Sequence, residues 1–162
     1  MRRGRADAST AAVTGNLMGM KAVVIGCGRT GSSVATNLAA EGWDVTCIDE
    51  DEGALARLGE WRGGFVVGHG MDLVVLEKAE VAKADAVVVS TDGDNSNLVI
   101  GQVVQRRYEP GCVVVRILDP RRAAFYAERG LRTVCPTQTA IATLTEVVRN
   151  SEPTPVPAGG SS

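Results

Sequence analysis

Apolar residues fall in short, nearly unbroken runs, AVVI at 22–25, VTCI at 45–48, AVVV at 86–89 and VVVRIL at 113–118, rather than alternating with polar ones. Runs of this length rich in valine and isoleucine fit strands covered on both faces, the condition of a parallel sheet. Strands are predicted over 21–25, 44–49, 64–67, 86–90 and 112–118, with a weaker one over 131–135. Helical spacing fills the gaps at 30–41, 52–58, 72–79, 95–107, 120–129 and 136–149. Strand and helix alternate six times, which predicts an α/β fold: a Rossmann-like, doubly wound, parallel six-stranded sheet. Right-handed crossovers and the arrangement in two halves give the strand order 3-2-1-4-5-6.

The ends do not fit this pattern. Residues 1–19 carry three arginines but lack the apolar stretch of a signal peptide, so they are expected to form a disordered leader, with Met18 and Met20 as further candidate starts. Residues 151–162, SEPTPVPAGGSS, are expected to be a flexible tail. That leaves one domain over 20–150. No window approaches the eighteen or so apolar residues of a membrane span, so no direct membrane insertion is expected.

Composition adds exclusions. The 17 basic residues are scattered and the formal charge is −2, which offers no broad cationic surface and argues against a nucleic-acid partner. Cys27, Cys47, Cys112 and Cys135 fall singly, with only His69 available to help bind a metal. They read as reduced, buried thiols of a cytoplasmic protein.

The chemistry concentrates after the first strand. Gly26, Gly28 and Gly31 in GCGRTG match G-x-G-x-x-G between a predicted strand and a predicted helix. The first glycine permits the tight turn, the second lets a pyrophosphate approach the backbone, and the third lets the helix pack on the strand. Free amides and the dipole at the helix start then attract phosphate. Asp49 ends the second strand, where a carboxylate can accept hydrogen bonds from ribose hydroxyls. It disfavours a 2′-phosphate unless a basic residue intervenes. NAD, ATP, ADP and AMP all remain open. Arg29 is either a bidentate phosphate partner, which favours a free polyphosphate, or a solvent-facing cation.

In the second half, Ser90 and Thr91 end the fourth strand beside the first, where strand order reverses and ligands bind. Asp92, Asp94, Asn95 and Ser96 suit either helix capping or a ligand role. Asn97, inside the predicted helix, does not fit the capping account. His69 follows the third strand and either reaches an adenine or is simply solvated. Arg116 either neutralises phosphate or pairs with an acid at an interface.

Taken together, VVIGCGRTGSSVATNL, VTCIDED, GHGMD, ADAVVVSTDGDNSNLVI and VVVRILDPRRAAFYAERG resemble the RCK domain, also called the TrkA N-terminal or KTN domain, over about 21–148. The resemblance implies a cytoplasmic, non-enzymatic nucleotide sensor, peripheral at the membrane through a potassium channel or transporter subunit that it gates. It implies NAD(H) or ATP/ADP, or another adenine nucleotide, as ligand and a homodimer or larger ring as the assembly. By matching position it places Gly26, Cys27, Gly28 and Gly31 in the phosphate loop, Arg29 and Thr30 at phosphate, and Asp49 at ribose. It places Glu50 and Asp51 near the base, where His69 stands in place of the family's frequent acid, and Thr91 and Asn97 over the nucleotide.

The family's last helix crosses to a partner subunit. Here 136–149 offers Ile141, Leu144, Val147 and Val148 on one face, for that contact or for the chain's own core. Many members carry a second, C-terminal domain, so the chain reads as either a single-domain member or a trimmed one. The alternative function is an NAD-dependent oxidoreductase or NAD-redox sensor. It would need a proton-transfer group against the nicotinamide, and the single histidine lies at the predicted adenosine end.

Overall fold

A computed structural model describes residues 19–151. The leader and tail expected at the two ends lie, apart from Gly19 and Ser151, outside the described residues. Six strands, β1 (Lys21–Ile25), β2 (Asp44–Asp49), β3 (Gly64–Val67), β4 (Ala86–Val89), β5 (Cys112–Arg116) and β6 (Arg132–Val134), form one parallel sheet in the order β3-β2-β1-β4-β5-β6. This is the predicted Rossmann-like topology. Five α-helices connect and follow them: α1 (Arg29–Ala40), α2 (Leu73–Lys78), α3 (Asp94–Arg107), α4 (Pro120–Ala127) and α5 (Pro136–Asn150). The segment Glu52–Leu58, expected as an α-helix, is a 3₁₀ helix, and a second short 3₁₀ turn at Val81–Lys83 precedes β4.

The sheet divides the core in two. On one face Val23, Ile25, Val87, Val89, Val113 and Val115 pack with Val75 and Leu76 of α2 and Leu98, Ile100 and Val104 of α3. On the other, Ala22, Val24, Val45 and Cys47 pack with Ala35 of α1 and with Ala54 and Leu58 of the 3₁₀ helix. Burial on both faces accounts for the unbroken apolar run of β1, of which only Lys21 escapes full burial.

The expectation of two covered faces does not extend to β4 and β5. Along β4, Ala86 and Val88 are half-buried while Val87 and Val89 are buried; β5 alternates likewise, with Cys112, Val114 and Arg116 half-buried. The second face of this half of the sheet is therefore only partly covered. Cys112 lies there and Cys135 caps α5, which corrects the expectation that all four thiols are buried: Cys27 and Cys47 are, and the other two are half-buried. All four are free thiols.

Helix α5 is equally uncovered. None of its residues is buried, and Ile141, Leu144, Val147 and Val148 are 57, 67, 58 and 74% exposed. Packing on the chain's own core, one of the two readings of this apolar face, is not what the structure shows. Among the described residues no helix is long and apolar enough to cross a membrane.

Candidate functional site

β1 and β4 are neighbours whose following helices lead in opposite directions, so the carboxyl edge of the sheet opens between them. A cleft of about 450 Å³ occupies this switch point. It brings together Gly26, Gly28, Arg29, Asp49, Glu50, Asp51, His69, Ser90 and Thr91 of the residues anticipated from sequence. Cys27, Thr30, Gly31, Asn97 and Arg116 do not line it.

The three loop glycines answer to different constraints. Gly26 has φ +91°, and a Cβ there would stand 2.6 Å from the Thr91 amide nitrogen and 2.7 Å from the Ser90 carbonyl carbon. Only glycine fits so close to β4 in the left-handed region. At Gly31 a Cβ would run into the Gly26 carbonyl oxygen and lie 2.7 Å from Ser90 Oγ, so this glycine sets the contact between α1 and β1. Gly28 is different. A Cβ there would meet nothing within 4 Å, so the fold packs nothing against the position and leaves its space to the cleft.

The helix starts reinforce the point. Asp72, Asp119 and Cys135 side chains accept hydrogen bonds from first-turn amides of α2, α4 and α5. α1 and α3 instead begin at Gly28 and Gly93, with no side-chain cap. Both glycines line the cleft. Their uncapped first-turn N–H groups and positive dipole ends converge where an anion would be held. Asp94, considered for a capping role, instead accepts from the Leu118 and Asp119 amides at 2.8 and 3.0 Å, and Asn95 accepts from Arg122 at 2.6 Å.

Asp49 ties the walls together. One carboxylate oxygen accepts the Cys27 N–H at 2.6 Å and the other accepts the Asp51 N–H at 2.9 Å. A carboxylate offers about four acceptor positions, so two bonds leave room for ribose hydroxyls. Cys27 is fully buried, with its thiol directed at the Ile48 carbonyl. A side-chain hydrogen bond between Cys47 and Cys27, followed by burial, favours the protonated thiol and pushes Cys47 far above the ordinary thiol range, so it packs as a small apolar residue. His69 Nδ1 accepts the Met71 N–H at 3.0 Å, which places the proton of the neutral ring on Nε2, 3.8 Å from Glu50 Oε1. A donor and an acceptor thus stand side by side at the β2–β3 end of the cleft.

Asn97 is 1% exposed and makes four hydrogen bonds. Its Oδ1 accepts from the Thr91 N–H (2.9 Å) and hydroxyl (2.6 Å), and its Nδ2 donates to the carbonyls of Thr91 (3.0 Å) and Arg116 (2.9 Å). Arg116 also donates to the Thr91 carbonyl, at 2.7 Å. Asn97 and Arg116 therefore brace the end of β4 beneath Thr91 rather than facing the cleft. Arg57, Gly68, Gly70, Asp92, Gly93 and Ser96 line the cleft without having been assigned from sequence. Asp92 and Ser96 carried only a capping-or-ligand alternative, and Arg57 belongs to no motif.

A doubly wound sheet with a glycine-loop cleft at its switch point defines a Rossmann-type domain. The TrkA-N domain model matches residues 22–137, and the chain belongs to this family. It is 40% identical over 116 residues to the Trk system potassium uptake protein TrkA of Streptomyces coelicolor, covering 71% of this chain and 52% of that protein. The chain spans about half the length of the curated relatives it matches, 52, 60 and 48% for three of them. Its fold is shared with the Kef CTD of Shewanella denitrificans in AMP-bound form (TM-score 0.69, 20% identity, 81% of this chain and 82% of that one). It is shared too with GsuK bound to ADP (TM-score 0.71, 19% identity, 82% and 35%).

Proposed function

We propose that this chain is the nucleotide-sensing part of a potassium-uptake system, holding an adenine nucleotide in the switch-point cleft and gating a membrane channel or transporter subunit without catalysing a reaction. The observation that carries this reading is the pair of uncapped helix starts, α1 at Gly28 and α3 at Gly93, facing one cleft that Asp49 also lines. That arrangement suits phosphate at one end and ribose at the other. The names of the TrkA relatives support the transport setting, and the AMP- and ADP-bound neighbours support the ligand class. In this reading the protein works in the cytoplasm, peripheral at the membrane through its partner. Nucleotide states that favour one conformation of the assembly would bias the gate.

Arg29 lines the cleft at the start of α1, is exposed, and forms no ion pair among the described residues. Calorimetric titration of Arg29→Ala is expected to show ATP and ADP binding weakened about tenfold, with NAD(H) affected less, as charge-assisted bonds to a terminal phosphate are lost. Equal loss across all ligands would remove Arg29 from a discriminating role.

The uncovered apolar face of α5 and the partly covered second face of β4 and β5 support assembly into a homodimer or larger ring. Sedimentation velocity at micromolar concentrations is expected to show at least a dimer. Leu144→Asp should shift it toward monomer; a monomeric wild-type chain would refute the crossing-helix contact.

A further inference from the structure

Arg57 stands at the ribose end of the cleft, where the sequence gives no reason to look for a cation. Its Nη1 lies 3.5 Å from the Cys27 carbonyl oxygen, and its Nη2 lies 4.0 Å from Asp51 Oδ2. Cys27 and Asp51 are also the two residues whose amides Asp49 holds, one on each carboxylate oxygen. The guanidinium therefore flanks Asp49, beside the space that the proposed nucleotide reading gives to the ribose hydroxyls. A phosphate on the 2′ position would meet the carboxylates of Asp49, Glu50 and Asp51, all on this wall of the cleft. Of these, Glu50 faces His69 and Asp51 faces Arg57.

We propose that Asp51 is a specificity-determining residue: paired with Arg57, it neutralises the cation that flanks Asp49 and so restricts the cleft to nucleotides whose adenosine ribose carries no 2′-phosphate. The inference rests on the adenosine reading of this cleft. Its physical basis is local charge. An exposed pair at 4.0 Å holds its partners weakly, but the carboxylate cancels most of the field the guanidinium would present to an incoming dianion. With the carboxylate gone, Arg57 becomes a phosphate partner of the kind that recognises a 2′-phosphate in other Rossmann sites.

Asp51→Asn removes the charge and keeps an amide oxygen where Asp51 Oδ1 accepts the Gly53 N–H at 2.8 Å, so the turn into the 3₁₀ helix stays capped. Asp51→Ser is a second variant with the same capping capacity. The affinities of 5′-AMP and adenosine 2′,5′-bisphosphate are measured by calorimetry for wild type, Asp51→Asn, Asp51→Ser and the double variant Asp51→Asn/Arg57→Gln. The affinity ratio is expected to move about tenfold or more toward the 2′-phosphorylated ligand in both single variants, and to return in the double variant. A ratio unchanged in the single variants, or a shift that survives loss of Arg57, would overturn the proposal while leaving 5′-AMP binding, and so the adenosine reading, intact. Failure of wild type to bind any adenine nucleotide would overturn both.

Discussion

Gly31→Ala is expected to destabilise the domain by about 4 kcal/mol, at the upper end of single-substitution effects, because the new methyl has nowhere to go. The Cβ would overlap the Gly26 carbonyl oxygen, a backbone atom, and would press on Ser90 Oγ, which itself donates to that same carbonyl at 3.0 Å. Relief requires α1 to move off β1, opening the contact that buries Ala35 against Ala22 and Val24. For a domain of this size such a loss lowers the melting temperature by about 10 °C, and urea unfolding gives the free energy directly. Gly28→Ala is the matched control. With nothing within 4 Å of its Cβ, it is expected to leave the unfolding midpoint nearly unchanged, since any cost would fall on a ligand approaching the loop. If both variants unfold at the wild-type midpoint, the close packing of α1 on β1 described above is wrong.

The second large effect is on binding. Asp49→Ala is expected to weaken every adenine nucleotide about a hundredfold, because hydrogen bonds from ribose hydroxyls to a carboxylate are among the stronger ones a site can make. The side chain also holds the Cys27 and Asp51 amides, at 2.6 and 2.9 Å, so part of the loss would come from slackening of the glycine loop and the acidic turn. Asp49→Asn separates the two contributions. Its single carbonyl oxygen can keep one of the amide bonds, and its affinity is expected to fall between wild type and alanine. A uniform loss across AMP, ADP, ATP and NAD(H) follows from the shared adenosine ribose, in contrast to the selective loss expected at Arg29.

The parts of this architecture written locally in the chain were legible before the structure. Unbroken valine runs announced the parallel strands, and a carboxylate at the end of the strand after the glycine loop singled out Asp49. Burial on both faces does not extend to β4 and β5. Their runs are as apolar as that of β1, but whether a helix covers the second face depends on packing that a run of valines does not encode.

Asn97 drew attention as a polar residue within a helix. Its partners, Thr91 and Arg116, lie six and nineteen residues away and meet it only when β4, α3 and β5 assemble, so its bracing role could not be read from spacing. The same holds for Arg116, whose guanidinium donates to the Thr91 carbonyl 25 residues away in sequence. Arg57 lies on the 3₁₀ helix after β2 and meets the Cys27 carbonyl thirty residues away, a contact that its helix-like sequence did not reveal.

The central claim, that the switch-point cleft holds an adenine nucleotide by its ribose, is tested most directly by calorimetric titration of the folded wild-type chain and Asp49→Ala with AMP, ADP, ATP and NADH. The account predicts saturable one-site binding to wild type for at least one of these, and a loss of about a hundredfold in Asp49→Ala with its circular dichroism spectrum retained. Undiminished binding to Asp49→Ala, or no binding of any of the four to the wild-type chain, would contradict it.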